Sequence, residues 1–146
     1  MTSTFLRSTL AALTFTAVIA LTGPSMAATV NFKADLKTSN EVPPGSGAGK
    51  GEVTATYDSA TKKLTWKGTY SGLSGPPTMA HFHIGAPGKN GGVAIWIFKG
   101  DAAKTPFAGS ATLTDAQAAD LMAGKMYVNI HTAAHKGGEI RGQVMK

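Results

Sequence analysis

The sequence has no cysteine, and Asp, Glu, Lys and Arg together make up only 15% of its 146 residues. The first absence excludes disulfides, iron–sulfur clusters, thiol nucleophiles and cysteine-based zinc fingers, so any metal must be held by nitrogen, oxygen or thioether. The second bears on partners. Fourteen Lys and Arg against eight Asp and Glu leave a net charge of +6, but the cations are scattered singly and only Lys62 and Lys63 adjoin. Without a basic block there is no grip for a nucleic acid, and none is expected as a partner. No carboxylate cluster is present to favour calcium or magnesium. No Ser, His and Asp form a triad-like signature, so hydrolase chemistry finds no support. Gly88, Gly91 and Gly92 are not followed by the Lys-Ser/Thr of a phosphate loop and read as a turn within Ala86–Gly92.

A long apolar run is also missing. The uncharged stretch Leu10–Leu21 is too short to span a bilayer. Arg7 precedes it, and Gly23-Pro24 and the small-residue pattern Ser25-Met26-Ala27 follow, which is the layout of a secretory signal peptide. Residues 1–27 are therefore expected to be removed after Ala27, leaving no stable membrane anchor. A single domain, residues 28–146, would then be periplasmic or secreted. A composition of 42% hydrophobic residues, 18 Gly and 7 Pro suits one compact domain.

From Ala28 onward apolar and polar residues alternate, as in Val30, Phe32, Ala34, Leu36, then Val53, Ala55, Tyr57, then Leu64, Trp66, Gly68, Tyr70. A period of two predicts half-buried strands. Val93–Phe98 is apolar on both faces and reads as a more buried strand, and Phe107–Leu113, Met126–Thr132 and Glu139–Met145 continue the series. One helix interrupts it. Thr114 and Gln117 have capping-box spacing, Ala116–Ala123 holds good helix formers, and Gly124 suits the position past the end. About eight short strands and one short helix predict an all-β fold, an antiparallel Greek-key sandwich or barrel. The expected core contains Phe32, Leu64, Trp66, Phe82, Ile95, Phe107, Leu113 and Ile130, and Trp96 and Phe98 are also read as core.

Within Met79–Ile84 the alternation puts Ala80, Phe82 and Ile84 on one face and Met79, His81 and His83 on the other. Met126, Val128 and Ile130 form an apolar face, which leaves Tyr127, Asn129 and His131 on the polar one. His135 follows in a Gly-rich turn that allows it to fold back. His81, His83, His131 and His135 thus make a candidate metal site. Four nitrogens without thiolate suit Cu(II) first and tetrahedral Zn(II) second. Met79 is a packing residue or a further soft ligand. Arg141 lies on a polar strand face, where it meets either the histidines or a surface carboxylate, Glu139 or Asp35.

The motifs Asn40-Glu41-Val42-Pro43-Pro44, Tyr70-Ser71-Gly72-Leu73, Ala80-His81-Phe82-His83, Tyr127-Val128-Asn129-Ile130-His131-Thr132 and Gly138-Glu139-Ile140-Arg141-Gly142-Gln143 resemble the CHRD domain, the module named after chordin and found singly in exported bacterial proteins. The resemblance implies a β-rich extracellular domain and by itself assigns no activity. The order His81, His83, His131, Arg141 is similar, more distantly, to copper–zinc superoxide dismutase, a Greek-key barrel with an arginine beside its copper. That family's cysteines and its bridging-histidine and aspartate zinc site have no counterpart here. The likeness therefore implies a copper-only site with His135 as a replacement ligand and superoxide as substrate, with Arg141 drawing in the anion. Three functions follow as alternatives: a copper-binding domain, a copper-only superoxide dismutase and a metal-free interaction module.

Overall fold

The computed structural model describes residues 27–146, so the expected signal peptide lies outside the described residues except for Ala27. The strands are β1 (Thr29–Lys37), β2 (Lys50–Asp58), β3 (Lys63–Ser71), β4 (Pro77–Ile84), β5 (Val93–Lys99), β6 (Phe107–Thr112), β7 (Met126–Thr132) and β8 (Ile140–Gln143). They form one antiparallel sheet in the order β5-β4-β7-β8-β1-β2-β3-β6. The sheet curls into a nearly closed barrel. Its end strands meet across the seam, where the rings of Phe98 and Phe107 stand edge to face at 5.4 Å. The expected all-β barrel with one helix is the fold observed. Among the described residues no helix is long and apolar enough to cross a membrane.

Local sequence accounts for most elements. β1, β2 and β3 form a regular meander in which Thr29 faces Asp58 and Lys37 faces Lys50, then Lys50 faces Ser71 and Asp58 faces Lys63. Every second side chain enters the barrel: Phe32, Ala34 and Leu36, then Val53, Ala55 and Tyr57, then Leu64 and Trp66 are buried. All eight expected core residues are buried in one cluster. Leu64, Phe82 and Ile130 are fully enclosed, and each such burial contributes about 1.5–3 kcal/mol. The helix α1 (Asp115–Met122) has its capping box: the Gln117 amide donates to Thr114 Oγ1 at 3.2 Å, and the Thr114 amide donates to Gln117 Oε1 at 2.9 Å.

Two strand readings need correction. Val93–Phe98 is not buried on both faces; it forms the end strand β5, where Val93 is 48% and Trp96 52% exposed. The register of β5 against β4 shifts between Ala80 and His81 and again between Phe82 and His83. These irregularities break the two-residue period, so Ile95 and Phe98 reach the core while Trp96 turns out of it. The last strand is also shorter than Glu139–Met145. Its ladder covers Ile140–Gln143, and Met145 makes only an isolated bridge to Lys33.

Candidate metal centre

Strands β4 and β7 pair so that Ala80 faces Ile130 and Phe82 faces Val128, all four inside the barrel. The alternate positions therefore share the outer face: Met79 opposite His131, His81 opposite Asn129, His83 opposite Tyr127. On the next strand Arg141 faces Asn129 and Gln143 faces Tyr127. An outer polar face ordinarily meets water, yet His81, His83, Asn129, His131 and Arg141 are only 3, 8, 2, 6 and 2% exposed. Loops on the barrel exterior roof this face and form a second, polar interior.

One nitrogen from each of His81, His83 and His131 lies within 4.8 Å of the others, and this trio is the metal-competent cluster found among the described residues. The histidine protons follow from the partners. His83 Nδ1 lies 3.0 Å from the Gly91 carbonyl and His131 Nδ1 lies 2.9 Å from the Lys136 carbonyl. A carbonyl only accepts, so both Nδ1 atoms carry hydrogen and both Nε2 atoms present lone pairs. His131 Nε2 lies 3.2 Å from His81 Nδ1, which must then be the donor. The His81 Nε2 is left as a lone pair as well. Both His81 Nε2 and His83 Nε2 are buried without a hydrogen-bond partner.

Electrostatics keep the trio neutral. Burial lowers the His81 pKa to about 4, with the neighbouring His131 and His83 adding to the effect. Burial also lowers His83 and His131, against the raising effect of their carbonyl partners. Three neutral imidazoles, each with a ring nitrogen within 4.8 Å of the others and two with an unpartnered buried Nε2, fit a divalent or monovalent transition-metal ion that would displace the His81–His131 hydrogen bond. The carbonyls on Nδ1 fix tautomer and ring orientation, as outer partners of metal-bound histidines do.

The loops that hold these carbonyls depend on close backbone approach. A Cβ on Gly91 would fall on the Ile84 carbonyl oxygen. Gly138, at φ +128°, leaves room for the Asn129 amide that a Cβ would strike. Both ends of the 133–138 loop are tied to the barrel, because Thr132 Oγ1 and the Ser74 amide each donate to Glu139 at 2.6 Å. Those bonds hold the Glu139 pKa low despite the opposing effect of burial.

His135 is not brought to the trio. It is exposed and lines a cleft of about 410 Å³ with Glu41, Pro43 and Glu139. The short turn between Thr132 and His135, bonded amide to carbonyl in both directions, directs the chain away from β4. Arg141 meets neither Glu139 nor Asp35. Its Nη1 donates to Asn90 Oδ1 at 2.8 Å, its Nη2 to the Lys89 carbonyl at 2.6 Å, and its guanidinium lies 3.5 Å from the centre of the Tyr127 ring. From the β4 side His83 stacks on the same ring at 4.8 Å and 5°. Arg141 thus reaches the site through Tyr127 and the 85–92 loop. Trp96 is not core; its ring is 4.2 Å from that of His81.

The family model of the CHRD domain matches residues 32–144. The chain belongs to the CHRD domain family. No curated protein and no solved structure matches it. The CHRD motifs gain physical content from the site: Glu41 of the Asn40–Pro44 segment accepts a short hydrogen bond from Asn129 Nδ2, and Asn90 Nδ2 donates to the Val42 carbonyl at 3.0 Å. Glu41 and Asn90, on the loops, therefore bond to Asn129 and Arg141 of the face that carries the histidines, and Tyr127 of that face stacks on His83. Sequence reasoning assigned Glu41, Asn90, Tyr127 and Asn129 no role, although all but Asn90 lie in the family motifs. Burial raises the Glu41 pKa to about 7, against the lowering effects of Asn129 and Arg141.

Proposed function

We propose that this CHRD domain is exported and binds a copper ion through His81, His83 and His131. The observation that carries the reading is the pair of buried, unpartnered Nε2 atoms of His81 and His83 beside His131. A buried acceptor left unmade costs about 1–3 kcal/mol, and a metal-free interaction module gives no reason to keep two. An all-nitrogen, thiolate-free donor set favours copper over zinc in intrinsic affinity, with zinc the second choice. Export rests on the Arg7, Leu10–Leu21 and Ser25-Met26-Ala27 pattern and on the extracellular character of the family. Bound copper would supply one-electron chemistry between Cu(II) and Cu(I). Superoxide dismutation asks in addition for a cation free to draw in the anion, and the Arg141 guanidinium is engaged by Asn90, Lys89 and Tyr127. Metal binding is accordingly the primary function, with the enzyme activity as the alternative.

Element analysis of the protein from its native compartment, followed by Cu(II) titration and electron paramagnetic resonance, tests this. Stoichiometric copper and a nitrogen-coordinated signal are expected. His81→Ala and His131→Ala should each weaken binding by more than about 100-fold, beyond the cost of losing an outer-shell bond. His135→Ala should bind like the wild type. Unchanged affinity in the His81 and His131 variants would sink the assignment.

A further inference from the structure

Each histidine of the trio has a different covering. His83 lies flush against Tyr127, whose hydroxyl is bonded to Gly91, and His131 is held from behind by the Lys136 carbonyl. Both coverings belong to the barrel or its tied-down loops. The ring packed on His81 is Trp96, and Trp96 is 52% exposed where His81 is 3% exposed. The indole stands edge to face on the imidazole at 82°. Its position follows from the two register shifts in β5, which take Trp96 out of the core and set it opposite His81. An end strand is hydrogen-bonded to a neighbour on one side only, and Trp96 is half exposed, so its side chain swings with less resistance than one on β7, where every residue is buried.

We propose that Trp96 is the gate of the metal site, a half-exposed indole that covers His81 and sets how fast an ion enters and leaves. The inference rests on the copper-binding reading above. Trp96 offers no lone pair to a metal, because its indole nitrogen is a donor only. Its contribution is to exclude water from the His81 side, and removing it opens that side without removing a ligand. Rates in both directions then rise together while the affinity changes little. The Lys99 Nζ lies over the Trp96 ring, 5.6 Å from its centre, and adds a cation–π contact to the indole.

Stopped-flow transfer of Cu(II) from the loaded protein to a strong chelator, and from a weak chelator into the apo protein, tests the gate. Trp96→Ala should speed both by about tenfold, the factor that one aromatic edge contact represents. Its equilibrium affinity should move by less than the rates, and Trp96→Phe should lie between. Indole emission gives a second readout. Cu(II) should quench the wild type strongly and Trp96→Phe, which keeps only the core Trp66, weakly. Unchanged transfer rates in a Trp96→Ala protein that still binds copper would overturn the gate and leave the site standing. A folded Trp96→Ala protein unable to bind copper would also overturn it, by making the indole part of the site. If the wild type takes up no Cu(II), the binding reading fails and the gate with it.

Discussion

Arg141 shows how a residue gains its role from its neighbours. Its guanidinium ties the 85–92 loop to β8 through Asn90 and the Lys89 carbonyl, and that loop carries the Gly91 carbonyl that orients His83. Arg141→Ala should therefore keep copper while loosening the loop, at a stability cost of about 1.5–3 kcal/mol for hydrogen bonds to a charged group. Copper content by element analysis and amide exchange across residues 85–92 would check both halves. A variant that lost copper altogether would place Arg141 closer to the metal than its stack on Tyr127 does. Equal superoxide decay by copper-loaded wild type and Arg141→Ala would separately remove the anion-guiding role.

Glu41 and His81 respond to pH in opposite senses in the apo protein. His81 titrates at about 4 in the fold against an ordinary 6.5, so between those values the unfolded chain binds a proton that the folded chain does not. Its contribution to stability is present above 6.5 and is lost as pH falls towards 4. Glu41 is raised to about 7 from 4.5, so the folded chain holds a proton that the unfolded chain has released, and stability falls as pH rises through that window. Glu41→Gln keeps an acceptor for Asn129 and removes the second effect. Urea unfolding should show the variant more stable than wild type at about pH 8 and equal to it at about pH 4.5. Identical curves at both would mean that the Glu41 carboxylate is not desolvated.

Among the elements, α1 and β5 show where local signals suffice and where they do not. The helix is fixed by neighbours in sequence, since Thr114 and Gln117 satisfy each other's backbone groups. Thr114→Ala should lower stability by about 1 kcal/mol and leave copper affinity unchanged, because α1 contributes no residue to the trio. A melting curve and a titration on the same sample settle it. For β5 the apolar run Val93–Phe98 reads as buried, but burial of a strand depends on how many neighbours it has. At the end of the sheet it pairs with β4 alone and meets β6 only through side chains at the seam, and the register shifts expose Val93 and Trp96.

At the scale of the whole molecule, the barrel core is complete without metal: Phe32, Leu64, Trp66, Phe82 and Ile130 belong to one buried cluster. The apo domain should unfold cooperatively by circular dichroism. The trio joins β4 to β7, strands far apart in the chain, so copper binding the native state alone should raise the melting temperature. The gain is about 2.7 kcal/mol at a free ion concentration 100 times the dissociation constant. Calorimetry with and without Cu(II), on wild type and His131→Ala, checks it. A rise that persists in the variant would trace to nonspecific binding.

The sequence by itself determined the alternation of β1–β3, the helix cap, the eight core residues in one cluster and the outward side of its own strand for each of His81, His83 and His131, because each depends on residues a few positions apart. Only the tertiary structure decided that these sides form one face and that this face is an interior. Burial of Asn129 and Arg141 comes from segments remote in sequence, Glu41 and Val42 on one side and Lys89–Gly91 on the other. The same holds for the choice among the four histidines. His81, His83 and His131 are joined by the β4–β7 register, whereas His135 leaves the ladder in a tight turn, and nothing in its spacing from His131 reveals which way that turn points. Long-range pairing and loop closure are collective, so the barrel had to form before three imidazoles became a site.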